Sequence, residues 1–479
     1  LNDIIGVINN YLWSYVLIVM LIGIGLWFTV RTRFVQIRCI PEMFRLMTEG
    51  AGAKPREGHI STFQAFCVST ASRVGVGNIA GIAIAVATGG PGAVFWMWVI
   101  ATIGAASGFV ESTLAQIYKA PRKGGGFVGG PAYYITLGMG EKWRPLAVFF
   151  SIAIIIALGC IGNMVQSNSI AHAMQTAFNV PAAVSGVVCA VLAGLVFFGG
   201  VGRLASVTEK IVPFMAAIYL IGGLWVIGAH ITEVIPAFRL IFVAAFDPEA
   251  VMGGALGLTV AKAMQFGVAR GLFSNEAGMG AVPNAAATAD ATHPAKQGLV
   301  QALGVYFDTL VVCTASAMLV LLTPGWADSG KTGIELIQQT LTGQLGTWTN
   351  AFMSVTVLFF AFSSIIGNYF YGEINMDFIS RHPAALWIYR AFVVMMVYLG
   401  SVASLGLVWN LADLFMALMA IVNLVAIAIL GKYAFIALDD YVSQKKRGIL
   451  NPEFDPSVMP NHRGILCWPR HKEEEIEQC

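Results

Sequence analysis

Eleven stretches of this chain are long, apolar and almost free of charge, and that single feature rules out most of what 479 residues could otherwise become. They run over 11–30, 62–88, 92–118, 146–172, 181–200, 208–229, 254–287, 298–323, 347–375, 384–404 and 408–431. A bilayer core about 30 Å thick is crossed by about 20 helical residues. Inside it the backbone finds no water, so a spanning segment must be a helix or part of a closed barrel. Barrel strands alternate polar and apolar residues; here the runs are continuous, as in AVFFSIAIIIALGCIG, so the sequence predicts an all-α polytopic membrane protein with about 11 transmembrane helices. A composition 57% hydrophobic and 11% charged excludes a soluble α/β domain and a nucleic-acid binder alike.

The first run has no basic stretch before it and no small-residue cleavage motif after it, so it reads as a retained helix. The seven cysteines are scattered without a C-x-x-C pair, which suggests neither a disulfide frame, nor a bound metal, nor a cofactor.

Basic residues orient the chain, because cytoplasmic loops retain Lys and Arg. One alternate set of connections holds 22 of the 28: Arg31, Arg33, Arg38, Arg45, Lys54, Arg56, Lys119, Arg122, Lys123, Lys142, Arg144, Arg203, Lys210, Lys296, Arg381 and seven from Lys432 onward. The opposite set holds Arg239 and Lys331. The N-terminus is therefore expected outside and the C-terminus in the cytoplasm of a plasma membrane, the inner membrane of a bacterium or archaeon. The polar tail from Tyr441 reads as a solvated basic extension near an anionic leaflet.

Two runs are interrupted. SRVGVGNIAGIA, residues 72–83, matches G-x-G-x-x-G/A, but a dinucleotide loop needs an acidic residue about 20 positions on. No Asp or Glu occurs between Gly75 and Glu111. FGVARGLFSNEAGMGAVPNAAATA, residues 266–289, carries Arg270, Asn275, Glu276, Gly278, Gly280 and Pro283 at span depth. Unpaired backbone at that depth survives only where it lines a cavity. Each break opens a block of five runs, and five is odd, so the blocks have opposite topology. Broken helices in matching positions of inverted halves point to a secondary transporter with its site at the midplane.

At these residues the sequence resembles a known family. GPGAVFWMWVIATIGAASGFVESTLAQIYK, residues 90–119, and GLFSNEAGMGAVPNAAATA, residues 271–289, are similar to the alanine or glycine:cation symporters, the sodium:alanine symporters. The resemblance runs from about Leu12 to about Asp455. It implies a LeuT-like five-plus-five inverted repeat preceded by one extra helix, and Na⁺-driven symport of small neutral amino acids, alanine and glycine, into the cell. The first break also resembles the G-x-G-N motif of neurotransmitter:sodium symporters. The expected organisation is an extra helix over 1–30, a basic cytoplasmic loop over 31–61, repeats over 62–230 and 254–431, an extracellular loop over 231–253 and a cytoplasmic tail over 432–479.

A zwitterionic substrate needs N–H donors for its carboxylate and carbonyls for its ammonium, and broken helices expose both. The carboxylate is assigned to the backbone of Gly75, Val76 and Gly77, flanked by Thr70 and Asn78. The ammonium is assigned to the carbonyl end near Gly271–Phe273 with Asn275 or Glu276. The resemblance supports Phe273, Asn275, Glu276 and Gln166 as substrate contacts. The small residues of both breaks leave room for Gly or Ala, and Phe273 either closes over the substrate or packs as ordinary core. For Na⁺, carbonyls of Ala71 and Val74 with hydroxyls of Ser363 and Ser364 copy the arrangement of the resembled LeuT-like symporters; those hydroxyls could instead bond back to their own helix. H⁺ coupling would fall to Glu276. A broader range reaching Ser, Gln or D-alanine stays open.

Glu111, Asp308 and Asp413 are expected to face the interior or water. Arg73 is a candidate gate, pairing with Glu276 or Glu111, or else a structural ion pair or a side chain reaching toward the cytoplasm. Lys262 and Arg270, eight apart on one helix face, are expected to line the outer vestibule. His172 receives no role. An enzyme using Glu276 and His293 lacks a nucleophile–base pair at depth, and a channel reading of the glycine loops conflicts with inverted rather than rotational symmetry. The bilayer, Na⁺ and a small amino acid are the expected partners, with no nucleic acid, and one chain is expected to suffice.

Overall fold

The computed structural model describes residues 2–51, 59–122, 125–247, 259–323, 325–380 and 382–468. Lys54, Arg56, Lys123, Arg381, residues 248–258 and the tail beyond Trp468 lie outside them.

In chain order the main helices are α1 (Asp3–Arg31), α2 (Ile40–Ala51), α3 (Thr62–Arg73), α4 (Gly77–Gly89), α5 (Gly92–Ile117), α6 (Glu141–Phe178) and α7 (Ala182–Phe197). There follow α8 (Gly202–Ala229), α9 (Ile231–Phe246), α10 (Val260–Asn275) and α11 (Val282–Ala286). The chain continues through α12 (Pro294–Leu321), α13 (Gly333–Leu345), α14 (Trp348–Ile379), α15 (Pro383–Val402) and α16 (Leu405–Lys446). Among the described residues, eight of these are long and apolar enough to cross a membrane, and the pair α3 and α4, bent by 49°, makes a ninth. The other two apolar runs are helical but fall short of a straight span. Helix α7 has 16 residues, about 24 Å at 1.5 Å per residue, and the run 254–287 is divided between α10 and the five-residue α11.

The connection read as a loop over 231–253 holds α9, 16 residues long. Its Phe238 and Phe242 rings lie 5.9 Å from that of Trp98 on α5, so an apolar aromatic face turns this segment into packed helix rather than open loop.

Helix α5 is the spine: α10 and α12 pack along it, and α1, α9 and α16 cover it. Helix α14 packs with α6, α3 and α8. Burial is inverted relative to a soluble protein. Trp225 and Ile388 are 69% and 67% exposed while Glu276 and Asp308 are 2% and 0%, as expected where the surroundings are hydrocarbon and the polar groups gather inside.

The tail departs from its solvated reading. After α16 the strap 449–468 turns back over the end of the molecule where α5 finishes and α12 starts. Phe454 and Met459 are buried at 1% and 3%. The Phe454 amide donates to the Thr292 carbonyl at 3.0 Å, the Thr292 hydroxyl to the Pro452 carbonyl at 2.9 Å, and the Trp468 indole to the Gln116 carbonyl at 2.9 Å. Lys119 Nζ stands 4.3 Å over the Trp468 ring. A few aromatic anchors thus hold a segment whose average composition is polar.

His293 ties the strap to α12. Its Nδ1 accepts from the Ala295 amide at 3.1 Å, its Nε2 faces Asp440 Oδ2 at 3.1 Å, and its ring meets Phe454 edge-on at 5.4 Å. Burial holds its pKa below the usual histidine value, a fall that Asp440 opposes. The unfolded chain therefore takes up this proton first, so the contribution is complete above about pH 6.5 and fades as the pH falls below that. Limited proteolysis is expected to cut within 449–468 faster at about pH 5.5 than at about pH 7.5. Phe454→Ala, which removes a buried ring worth about 3 kcal/mol, produces the same rapid cleavage at the higher pH.

Candidate functional site

Helix α3 begins with a capping box, in which Ser61 Oγ accepts from the Gln64 amide and Gln64 Oε1 from the Ser61 amide, both at 3.1 Å. It ends at Val74, whose ψ of 81° leaves the helix. The chain resumes in a wide π-type turn over Gly77–Gly81. Between the two, the Gly75 amide donates to Asn78 Oδ1 at 2.9 Å and the Val76 amide to Gln166 Oε1 at 3.1 Å. The glycines are there for approach. A Cβ on Gly75 would lie well inside contact with Ser364 Oγ and 3.2 Å from Gln166 Oε1, and one on Gly77 would lie 2.7 Å from the Phe273 ring.

The second break faces the first. Helix α10 stops at Asn275 because Glu276 turns left-handed, with φ 55°. Ser72 Oγ lies 2.6 Å from Glu276 Oε1, and Tyr371 donates to Glu276 Oε2 at 3.3 Å. Asn275 Oδ1 accepts from the Ala277 amide at 3.0 Å while its Nδ2 donates to Thr309 Oγ1 at 3.1 Å. Phe273 packs against Trp409 at a tilt of 40°, with centroids 4.8 Å apart.

Asp308 joins the two breaks. It sits in a π-type turn of α12 over Phe307–Cys313, a geometry frequent at functional positions. Its Oδ1 accepts from Asn78 Nδ2 at 2.7 Å, and its Oδ2 from Ser274 at 2.6 Å and Thr309 at 3.0 Å. Cys313 Sγ completes the group, 3.3 Å from Asn78 Nδ2 and 3.1 Å from Ser274 Oγ.

The hydroxyls of α14 lie against the end of α3. Ser364 Oγ is 2.9 Å from the Ala71 carbonyl and 3.2 Å from that of Ser72. Ser363 Oγ is 3.5 Å from the Ala71 carbonyl. Both also bond back to Phe360 O, at 2.9 and 3.1 Å. Thr70 Oγ1 is buried with no partner among the described residues.

Residues Thr70, Ala71, Val74, Gly75, Val76, Gly77, Asn78, Gln166, Phe273, Asn275, Glu276, Ser363 and Ser364 are therefore gathered around one pair of facing breaks, all buried. The neighbouring cations depart from the placements expected for them. Arg73 pairs with neither Glu276 nor Glu111; its Nη1 donates to the Gln301 carbonyl at 3.1 Å, and its Nε and Nη2 have no partner among the described residues. Arg270 is 4% exposed rather than lining a vestibule with Lys262. Its guanidinium pairs with Asp413 and lies 4.8 Å over Trp409, contacts that offset the cost of burying its charge. Lys262, eight residues earlier, is exposed. Ser72, Asp308, Asn368 and Tyr371 enter the site without a sequence signal beyond being polar inside apolar runs.

A family model described as the sodium:alanine symporter family matches residues 1–456. A probable sodium/glutamine symporter of Bacillus subtilis is 47% identical over 469 residues, covering 98% of this chain and 96% of that one. An amino-acid carrier protein of the same organism is 46% identical, covering 99% of each. A sodium/alanine symporter of Methanococcus maripaludis is 37% identical over 436 residues, covering 90% of this chain and 94% of that one. A crystal structure of the Eremococcus coleocola manganese transporter shares the fold, with TM-score 0.51 at 12% identity over 84% of this chain and 93% of that one. Two facing helix breaks at the centre of a multi-pass bundle, and relatedness along nearly the whole length, lead to one conclusion: the chain belongs to the sodium:alanine symporter family.

Proposed function

We propose that this chain carries a small neutral amino acid, alanine or glycine, into the cell together with Na⁺ by alternating access, with the substrate held between the two breaks. The observation that carries this reading is the meeting of Ser72 with Glu276 at 2.6 Å and of both breaks on Asp308. The substrate carboxylate takes the Val76 amide in place of Gln166 Oε1, which occupies it at 3.1 Å. Its ammonium meets Asn275, Glu276 and the carbonyl end of α10. Phe273 closes over the side chain, and Gly75 and Gly77 keep the space small.

Na⁺ prefers oxygen ligands, and the Ala71 carbonyl with Ser363 and Ser364 supports a site at the end of α3; the Val74 carbonyl completes it. The fold is read as two inverted five-helix repeats after α1, with the N-terminus outside and the C-terminus in the cytoplasm. Na⁺ orders the first break, the amino acid follows, and one helix bundle rocks against the other.

A wider range that reaches glutamine is favoured by the 47% identity to a relative named for that substrate. H⁺ coupling has its own observation. Ser72 Oγ lies 2.6 Å from both Glu276 Oε1 and Asn368 Oδ1. One hydroxyl proton cannot serve two acceptors, so either the Asn368 amide presents its NH₂ to Ser72, or Glu276 holds a proton.

Competition of Gly, Ala, Ser, Gln and D-alanine against labelled alanine in proteoliposomes, with Na⁺, Li⁺ or only H⁺ outside, tests the reading. Expected is competition by Gly and Ala and uptake only with Na⁺. Strong competition by Gln selects the wider range, uptake driven by H⁺ alone selects H⁺ coupling, and full uptake with no cation gradient refutes symport.

A further inference from the structure

The unwound stretch between α10 and α11 is held by a carboxylate from another helix. The Glu276 amide donates to the Leu272 carbonyl at 2.9 Å and the Met279 amide to the Glu276 carbonyl at 3.1 Å, while the Ala277 amide uses Asn275 Oδ1. The Gly278 and Gly280 amides both go to Glu111 of α5, at 3.0 Å to Oε1 and 3.1 Å to Oε2. Both glycines have positive φ, 81° and 83°, and Glu276 before them is left-handed as well. Backbone amides turned to one side in such a conformation form a concave site for an anion. Here the anion is built into the protein.

Asn423 of α16 secures the arrangement, donating to Glu111 Oε2 at 2.8 Å and to the Gly278 carbonyl at 2.9 Å. Its own Oδ1 is bonded by Tyr134. Glu111 is 0% exposed, and a buried carboxylate survives only with such donors. Glycine is also required at 280, where a Cβ would come within 2.9 Å of Asn423, Phe150 and Pro131.

We propose that Glu111 is a positioning residue for transport, whose carboxylate holds residues 276–281 in the shape that presents Asn275 and Glu276 to the substrate. This rests on the reading above that substrate binds between the breaks. Glu111→Gln is the informative change, because it keeps the shape and removes one acceptor. The Gln oxygen is best placed toward Gly280 and Asn423, which leaves its NH₂ opposed to the Gly278 N–H.

Two measurements on the purified full-length chain test it. Hydrogen exchange is expected to speed up over 276–282 in E111Q by about tenfold while α12 keeps its protection, and this readout needs no substrate. In proteoliposomes the KM for alanine is expected to rise about tenfold, with half-saturation by Na⁺ and the melting temperature near wild type. Unchanged exchange at 276–282 overturns the proposal. So does faster exchange with an unchanged KM, or a fall in melting temperature and yield with wild-type KM, each of which would make Glu111 structural only. If wild type shows no Na⁺-driven alanine uptake, the transport reading fails while the exchange result still judges the clamp. Should E111Q not fold, Asn423→Ala, which leaves both amide bonds in place, must show a smaller rise over the same residues, and no rise counts against the proposal.

Discussion

Gly75→Ala is expected to lower Na⁺-driven alanine uptake by about 30-fold, equivalent to about 2 kcal/mol of overpacking, while Gly81→Ala in the same motif stays within about threefold of wild type. The two glycines look alike in sequence and differ in what surrounds them. A Cβ at 75 would collide with Ser364 Oγ and press on Gln166 Oε1, whereas one at 81 would meet Trp409 and Arg270 at 3.7 and 3.9 Å, ordinary contact distances. The collision at 75 falls on two side chains with proposed roles, the Ser364 hydroxyl for Na⁺ and the Gln166 amide opposite Val76, so both Na⁺ dependence and alanine KM should worsen. Initial uptake rates normalised to folded protein, with Na⁺ and alanine varied separately, provide the check. Equal activity of the two variants would mean that the first break does not need close approach at Gly75.

Asp308→Ala is expected to abolish uptake, by more than about 100-fold, and to lower thermal stability as well. Removing the carboxylate takes a buried acceptor from Thr309 and leaves Asn78 and Ser274 with the weaker Cys313 sulfur, and each buried bond lost in this way costs about 1–3 kcal/mol. It also unties a carboxylate that bonds to both breaks. Asp308→Asn separates the two effects. It retains oxygen and nitrogen where Asn78 and the hydroxyls can rearrange around them, so stability should recover most of its value, while the missing charge should still depress uptake about tenfold. A melting curve and an uptake assay on the same preparations decide this, and wild-type uptake in Asp308→Asn would show that the charge is dispensable.

What could be read from sequence, and what could not, divides along physical lines. The spans are legible because hydrocarbon imposes a local rule, a continuous apolar run, that needs no partner. Both breaks are legible for a related reason: GVGN and NEAGMG place polar and glycine residues at a depth where helix is otherwise obligatory. The lengths are less so. Helix α7 and the divided α10 and α11 look like full spans in composition, and where a helix ends depends on Glu276 turning left-handed, a choice made by the packing around it.

The partners of buried charges were not legible at all. Arg270 and Asp413 are 143 residues apart and Glu111 and Asn423 are 312 apart, and nothing in either local pattern names the other. For Arg73 the sequence left open a carboxylate partner or a reach toward the cytoplasm, and the structure gives it the Gln301 carbonyl. The strap is the same lesson at the surface. Its average composition is that of solvated chain, yet Phe454, Met459 and Trp468 anchor it to the end of the bundle.

The central claim is that Na⁺ and a small amino acid bind together between the two breaks, each favouring the other. Equilibrium binding of labelled alanine to purified protein across a Na⁺ titration tests this most directly, with Na⁺ affinity measured in the presence and absence of alanine. Linkage requires that the factor by which Na⁺ tightens alanine equal the factor by which alanine tightens Na⁺, and a reciprocal gain of about tenfold or more is predicted. Alanine binding that is equally tight without Na⁺ would contradict the account.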